Sequence, residues 1–351
     1  MNKPTLLWDI GTAYDLFASL TVLHRPDRFG LRASWAAGVR SRLPAPHRQV
    51  LEDAQDLFGA PVAWLYGLPA PKDVATALHA LAQMPPAERL PALALTPDLL
   101  PETIQTLQGV YARRSWDDAA MDALRAAFQQ RGRQARPRTL VNILEWWSRP
   151  DEFGERYLAA LQSYQTVFFV EEERRIRPVL EAAQAEAQRQ AEQLDFPQLV
   201  ELLSRGAQIA ALSEAAQVVL APSYWITPLV IYGGVSPDAM LMLYGGRPEE
   251  MPLVPGELVP DAMLRALKAL SDPTRLRILR YLSDQPQTSS QLSRRLRLRT
   301  PTMTHHMNAL RLAGLVHLLV DEQGERLYTV RAEAIEGTFT ALKHFLEVNG
   351  K

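Results

Sequence analysis

Eight arginines crowd one short stretch of the chain: Arg275, Arg277, Arg280, Arg294, Arg295, Arg297, Arg299 and Arg311. Between the first and last of them only Asp284 opposes the charge. Guanidinium groups this dense can neutralise phosphates and release the counterions that a duplex carries. Four of them, Arg294, Arg295, Arg297 and Arg299, flank a break between two helical segments and are the best phosphate candidates. The segment after the break opens with Thr300-Pro301, a cap-then-proline start. On a helical wheel at about 100° per residue, Met303, Met307 and Leu310 share the inner face. Pro301, His305 and Asn308 fall on the opposite side, with Thr302 and Thr304 on the flanks. A face of that kind fits a major groove. Thr300, Pro301, Thr302, Thr304, His305 and Asn308 are therefore candidate DNA contacts. His306 is a weaker one, because it lies nearer the core side. Arg326, on a later hairpin, is placed to reach a minor groove.

Other chemistry is sparse. The 351 residues contain no cysteine, which removes disulfides, thiolate metal sites and cysteine nucleophiles. Asp9-Ile10-Gly11-Thr12 matches the D-x-G-T phosphate loop of actin-like kinases, but no second D-x-G follows, and Asp9 reads better as a cap or turn residue. No HExxH, P-loop, GxGxxG or GxSxG occurs. His24, His47 and His79 are scattered. The expectation is a protein that is not an enzyme, with no catalytic residues, no metal and no cofactor.

The elements that must position the arginine-rich stretch are legible. Asp261 to Leu270 is an amphipathic helix. Asp272-Pro273 starts another, with Leu276, Ile278, Leu279 and Leu282 inward. Thr288-Ser289-Ser290-Gln291 has capping-box spacing and opens a short helix with Leu292 and Leu296 inside. Together with the helix from Thr300 to about Ala313, ended by Gly314, it forms a helix-turn-helix. Val316–Val320 and Arg326–Arg331 alternate across the turn DEQGE and predict a hairpin, or wing. Ala332 to Val348 closes the chain as a helix.

ALSDPTRLRILRYL (269–282), TSSQLSRRL (288–296), TMTHHMNALRLAGLV (302–316) and RLYTVR (326–331) together resemble the ArsR/SmtB winged-helix repressors. The resemblance covers about 90 residues, a quarter of the chain. It implies a dimeric, DNA-binding transcriptional regulator whose flanking helices, here 261–270 and 332–348, form the dimer interface. Many members of that family sense metals through cysteines, which are missing here. A second metal site of the family falls on Arg331, Glu333, His344 and Glu347. An arginine in place of an acid opposes a dication, so the implied effector is not a metal.

Before this module the pattern is mainly helical. A short strand, Leu6 to Asp9, precedes a helix at Thr12 to Leu23. Further helices are expected near 47–58, 73–83, 115–131 and 139–148, and a long one over 151–194, kinked or divided at Pro178. Ala216–Ala221, Trp225–Tyr232 and Ala239–Tyr244 read as a small antiparallel sheet. Trp146, Trp147, Tyr164, Phe168, Phe169, Tyr224 and Trp225 read as core, with an apolar ligand pocket as the alternative. Gly245 to Pro260 carries four prolines and three glycines and reads as a connector. The expected division is 1–244, a helical assembly or effector-sensing domain with a small sheet, then 245–259, the connector, then 260–351, the winged helix. The fold class is mainly α with minor β.

Charge follows the same division. Residues 258–351 hold 14 Lys+Arg against 9 Asp+Glu, a net of +5, and residues 1–257 hold 24 against 30, a net of −6. The body is thus expected to make no contact with bases. No apolar run reaches the roughly 18 residues a membrane helix needs, and a cytoplasmic location is expected. The expected partners are double-stranded DNA, a second copy of the chain and an unidentified small-molecule effector, with no membrane. Two other readings stay open. One is an enzyme carrying a fused regulatory winged helix, and the other is a body that recruits a protein partner.

Overall fold

The computed structural model describes residues 4–29, 31, 33–131, 134–248, 251, 260–320 and 326–348. Strand β1 (Thr5–Trp8) leads into a helical body of α1 (Thr12–His24), α2 (Ala33–Ser41), α3 (Ala45–Leu57), α4 (Val62–Tyr66), α5 (Val74–Gln83), α6 (Pro86–Ala94), α7 (Pro101–Arg113), α8 (Asp118–Gln130), α9 (Pro137–Ser148) and α10 (Pro150–Tyr164). A 3-10 turn, Pro26–Phe29, joins α1 to α2. A π-helical turn, Gln165–Phe169, joins α10 to α11 (Val170–Ala191). Then come α12 (Phe196–Leu203), β2 (Ala207–Ile209), α13 (Ala210–Glu214), β3 (Gln217–Ser223), β4 (Ile231–Ser236) and β5 (Ala239–Gly245). The C-terminal part holds α14 (Asp261–Leu270), α15 (Pro273–Asp284), β6 (Gln287–Thr288), α16 (Ser289–Leu296), α17 (Thr300–Leu312), β7 (Val316–Val320), β8 (Arg326–Val330) and α18 (Ala332–Val348). The chain is mainly helical with two small sheets, as the sequence pattern predicts.

The first sheet runs β1-β3-β5-β4 and differs from the expected antiparallel one. β1, β3 and β5 are parallel, and only β4 opposes β5. The reason lies in burial. A strand covered on both faces reads as an unbroken apolar run, which is the mark of a parallel strand. In β3, Val219 and Ala221 belong to the core of the helical body, while Val218 and Leu220 belong to a second core that also takes in α11, α12 and the C-terminal module. In β5, Leu241 and Leu243 belong to the first core, and Met242 and Tyr244 to the second. Both faces of the sheet are therefore buried.

Two boundaries move from their expected places. Trp225 does not begin a strand, because Asp15 of α1 accepts hydrogen bonds from the Trp225 backbone N–H at 3.0 Å and from Ser223 Oγ at 2.7 Å. A backbone donor held there cannot join a ladder, and the strand starts later, at Ile231. The long helix is divided at Gln165–Phe169, while α11 runs through Pro178. The wider π turn sets Phe168 against Trp35 and Trp225 while Phe169 stays fully buried. The aromatic residues named from the sequence pack mostly against one another as core. Of the expected connector, residues 249, 250 and 252–259 lie outside the described residues.

Candidate nucleic-acid interface

Two helices of the C-terminal module, α15 and α16, start where their own residues supply the missing partners. The Asp272 carboxylate accepts from the Arg275 backbone N–H at 2.9 Å and caps α15. At α16, Thr288 Oγ1 accepts from the Gln291 N–H at 3.2 Å, and Gln291 Oε1 accepts from the Thr288 N–H at 2.7 Å. This is the reciprocal box that the TSSQ spacing predicts. The turn after α16 passes through Arg297 at φ 55°, a left-handed residue that closes the helix, with Leu298 N–H bonded to Ser293 O at 3.0 Å. Thr300 is the first helical residue of α17 rather than its cap; Arg299 takes the cap position and Pro301 lies in the first turn. Gly314 ends the segment at φ +67°.

The inner face of α17 is Met303, Met307 and Leu310, all buried, as the wheel requires. Thr300, Pro301, Thr302, Thr304, His305 and Asn308 are exposed. His306 is turned inward. Its Nδ1 lies 3.9 Å from Asp272, and desolvation holds its pKa below the ordinary histidine value. It packs α17 onto the cap of α15. Arg294, Arg297 and Arg299 are exposed around the turn. Arg295 is exposed too, but it stacks over Tyr281 at 4.6 Å and reaches Gln287 Oε1 at 3.4 Å, so part of its reach is spent inside the module. Arg326 is exposed at the start of β8. The turn of the wing, residues 321–325, lies outside the described residues.

At the last-helix positions, Arg331 Nε donates to Glu333 Oε1 at 3.1 Å, and His344 is exposed. The side chain of Glu347 lies outside the described residues. Elsewhere, Asp9 accepts from Lys72 Nζ at 2.5 Å and from Tyr14 Oη at 2.7 Å. Its carboxylate closes the D-x-G-T turn onto the body.

No sequence pattern signals how tightly the module is joined to the body. The wing sheet runs β2-β7-β8-β6, and its first strand comes from the body. Residues Ala207–Ile209 pair in parallel with Leu318–Val320. Leu318 N–H bonds Gly206 O at 2.8 Å, and Arg331 Nη1 bonds Arg205 O at 3.1 Å. His317 of β7 sits between Glu201 of α12 at 3.3 Å and Glu333 of α18 at 3.5 Å. A strand of three residues is too short to show an alternating pattern, so periodicity does not reveal it. The 3-10 turn Pro26–Phe29 also packs against α17. Tyr232 of β4 lies within electrostatic reach of Arg311, near the end of that helix.

Residues 270–318 match the family model of a helix-turn-helix domain. That span opens at the end of α14 and closes in β7, so it holds α15, α16 and α17 whole. The chain therefore carries a helix-turn-helix domain, of the kind that binds DNA in transcriptional regulators. No curated protein and no solved structure matches the chain. No helix among the described residues is long and apolar enough to cross a membrane.

Proposed function

We propose that the protein is a dimeric transcriptional repressor of the ArsR type, without enzymatic activity, that reads a near-palindromic operator. One observation carries the reading: an exposed face of Pro301, Thr302, Thr304, His305 and Asn308 stands over a buried Met303-Met307-Leu310 floor, with Arg294, Arg297 and Arg299 exposed at its start. In this role, the α17 side chains contact base edges, the arginines hold phosphates, and Arg326 follows the minor groove.

Dimerisation is assigned to α14 and α18. On α18, Ile335, Phe339, Leu342 and Leu346 recur at i, i+4, i+7 and i+11, which makes one stripe. Phe339 is 56% exposed and Leu346 63% exposed in the single chain, so a second copy would cover them. The effector is assigned as a small molecule other than a metal ion. The pairing of Arg331 with Glu333 supports this, because a guanidinium already fills the place of a dication. A cleft of about 290 Å³ between body and module, lined in part by Arg205, Arg265, Arg331 and Thr338, is where an effector could bias their relative position.

The test is capture of sheared genomic duplex by the purified full chain, followed by footprinting. The reading requires protection of two half-sites about one helical turn apart. A single asymmetric half-site protected by a monomer would contradict it.

A further inference from the structure

The junction between body and module holds a histidine between two carboxylates from different parts of the molecule. His317 of β7 turns one ring nitrogen, Nδ1, to Glu201 of α12, 3.3 Å away. It turns the other, Nε2, to Glu333 of α18, 3.5 Å away. Arg331, just before α18, donates to the same Glu333 oxygen that His317 faces. The strands on either side of β7 contribute uncharged groups. From β2, Gln208 Nε2 donates to Glu201 Oε2 at 3.1 Å, and from β8, Thr329 lies opposite His317 in the ladder. Gly206, at the entry to β2, presses its backbone on the ring, since a Cβ there would lie 2.6 Å from Nδ1. Two carboxylates against one guanidinium leave this cluster at −1, and a protonated His317 brings it to neutral.

We propose that His317 is a proton-operated latch that ties the body to the wing sheet. An imidazolium carries an N–H on each nitrogen and donates to both carboxylates, whereas the neutral ring has one donor and turns a lone pair on the other oxygen. Histidine changes charge between about pH 5 and 8. Glu333 stays ionised over that range: burial raises its pKa, but its own backbone N–H, Arg331 and His317 together hold it below the ordinary glutamate value. Protonation therefore favours the closed arrangement, and closure loses that support as pH rises through the imidazole range. Glu333 and His317 both lie in the module, so the contact to Glu201 is the half of the latch that crosses the junction. It acts on a strand of only three residues, β2, held by its ladder to Leu318–Val320 and by the Leu318–Gly206 bond. A short edge strand is where a junction opens locally at low cost. The latch does not depend on what α17 reads, and it makes the proton an effector of the junction in its own right.

Hydrogen–deuterium exchange of the full chain, read by mass spectrometry in peptides that span 207–209 and 316–320, tests this. Wild type, His317→Gln and Glu201→Gln are compared at pH 5.5 and at pH 8. Comparing chains at one pH cancels the intrinsic pH dependence of exchange. At pH 5.5 the wild type should exchange about fivefold more slowly than either variant, the worth of one partly exposed ion pair. At pH 8 the three chains should agree within about twofold. Peptides from α9 should exchange alike in all three, which shows that the variants are folded. Should His317→Gln disturb α9 as well, Glu201→Gln, changed at a side chain that is 36% exposed, decides alone. A ratio of wild type to variant that is the same at both pH values would reduce His317 to packing and overturn the inference. So would a Glu201→Gln chain that exchanges like the wild type at pH 5.5.

Discussion

Asp15 offers the sharpest quantitative consequence of the fold. It is fully buried where α1 meets the carboxyl end of β3. One oxygen accepts from Ser223 Oγ and Trp225 N–H, and the other has no partner. Burial pushes its carboxyl up to about 6, from 3.8, against the pull of those hydrogen bonds and with help from nearby Glu172. The folded pKa lies above the unfolded one, so folding favours the protonated acid. That stabilisation is complete below about pH 4 and is lost as pH rises through about 6. Two units at 1.36 kcal/mol each set an upper bound of about 3 kcal/mol at pH 8. Asp15→Asn keeps an acceptor for Ser223 and Trp225 and carries no charge. Its stability relative to wild type should therefore be higher at pH 8 than at pH 4.5, by about 2 kcal/mol, since about a third of the full effect is already present at pH 4.5. Urea unfolding of both proteins at the two pH values measures this, and taking the difference removes every other titrating group. A difference between the proteins that does not change with pH would refute the reasoning.

Other consequences are independent of that one. Phe339→Asp/Leu346→Asp should make the protein monomeric. Covering each side chain is worth about 1.5–3 kcal/mol in each copy, so the dimer dissociation constant should rise by at least about a hundredfold in sedimentation equilibrium; a wild type that is already monomeric would defeat the assignment. Gly206 adopts φ +93°, and a Cβ there would sit 2.6 Å from His317 Nδ1. Gly206→Ala should therefore loosen the β2–β7 junction and cost about 1–3 kcal/mol, read as a fall of several degrees in melting temperature, and an unchanged melting curve would count against it. Chelation should leave duplex affinity unchanged, and added Zn²⁺, Ni²⁺ or Co²⁺ should not alter it. A stoichiometric metal effect abolished by His344→Ala would reverse the non-metal assignment.

The module is readable in the sequence because its signals are local. The TSSQ box, Asp272-Pro273, Gly314 and the Met303-Met307-Leu310 stripe each act within one or two turns of chain, and each has the predicted geometry apart from the one-residue shift at Thr300. The body is less readable because its determinants are distant in sequence. Asp15 stops a strand at Trp225, some 210 residues away, and no periodicity near Trp225 records that. The parallel order of β1, β3 and β5 depends on burial of both faces, one in each of two cores assembled from elements far apart in sequence. Helices such as α2, α6 and α12 are short and broken by prolines or outweighed by neighbouring loops, so a helical repeat hardly develops in them. Within the candidate interface, the outward face of α17 follows from its own periodicity, whereas the inward turn of His306 follows from a cap on another helix, Asp272.

Operator binding by fluorescence anisotropy, across a salt series, tests the central claim most directly. If α17 reads bases and the arginines at its start hold phosphates, His305→Ala will reduce the preference for operator over random duplex with little change in salt slope. Arg299→Ala will weaken binding to both duplexes and lower the slope by about one unit. Wild-type operator preference retained in His305→Ala and Thr302→Ala, together with an unchanged slope in Arg299→Ala, would contradict the account.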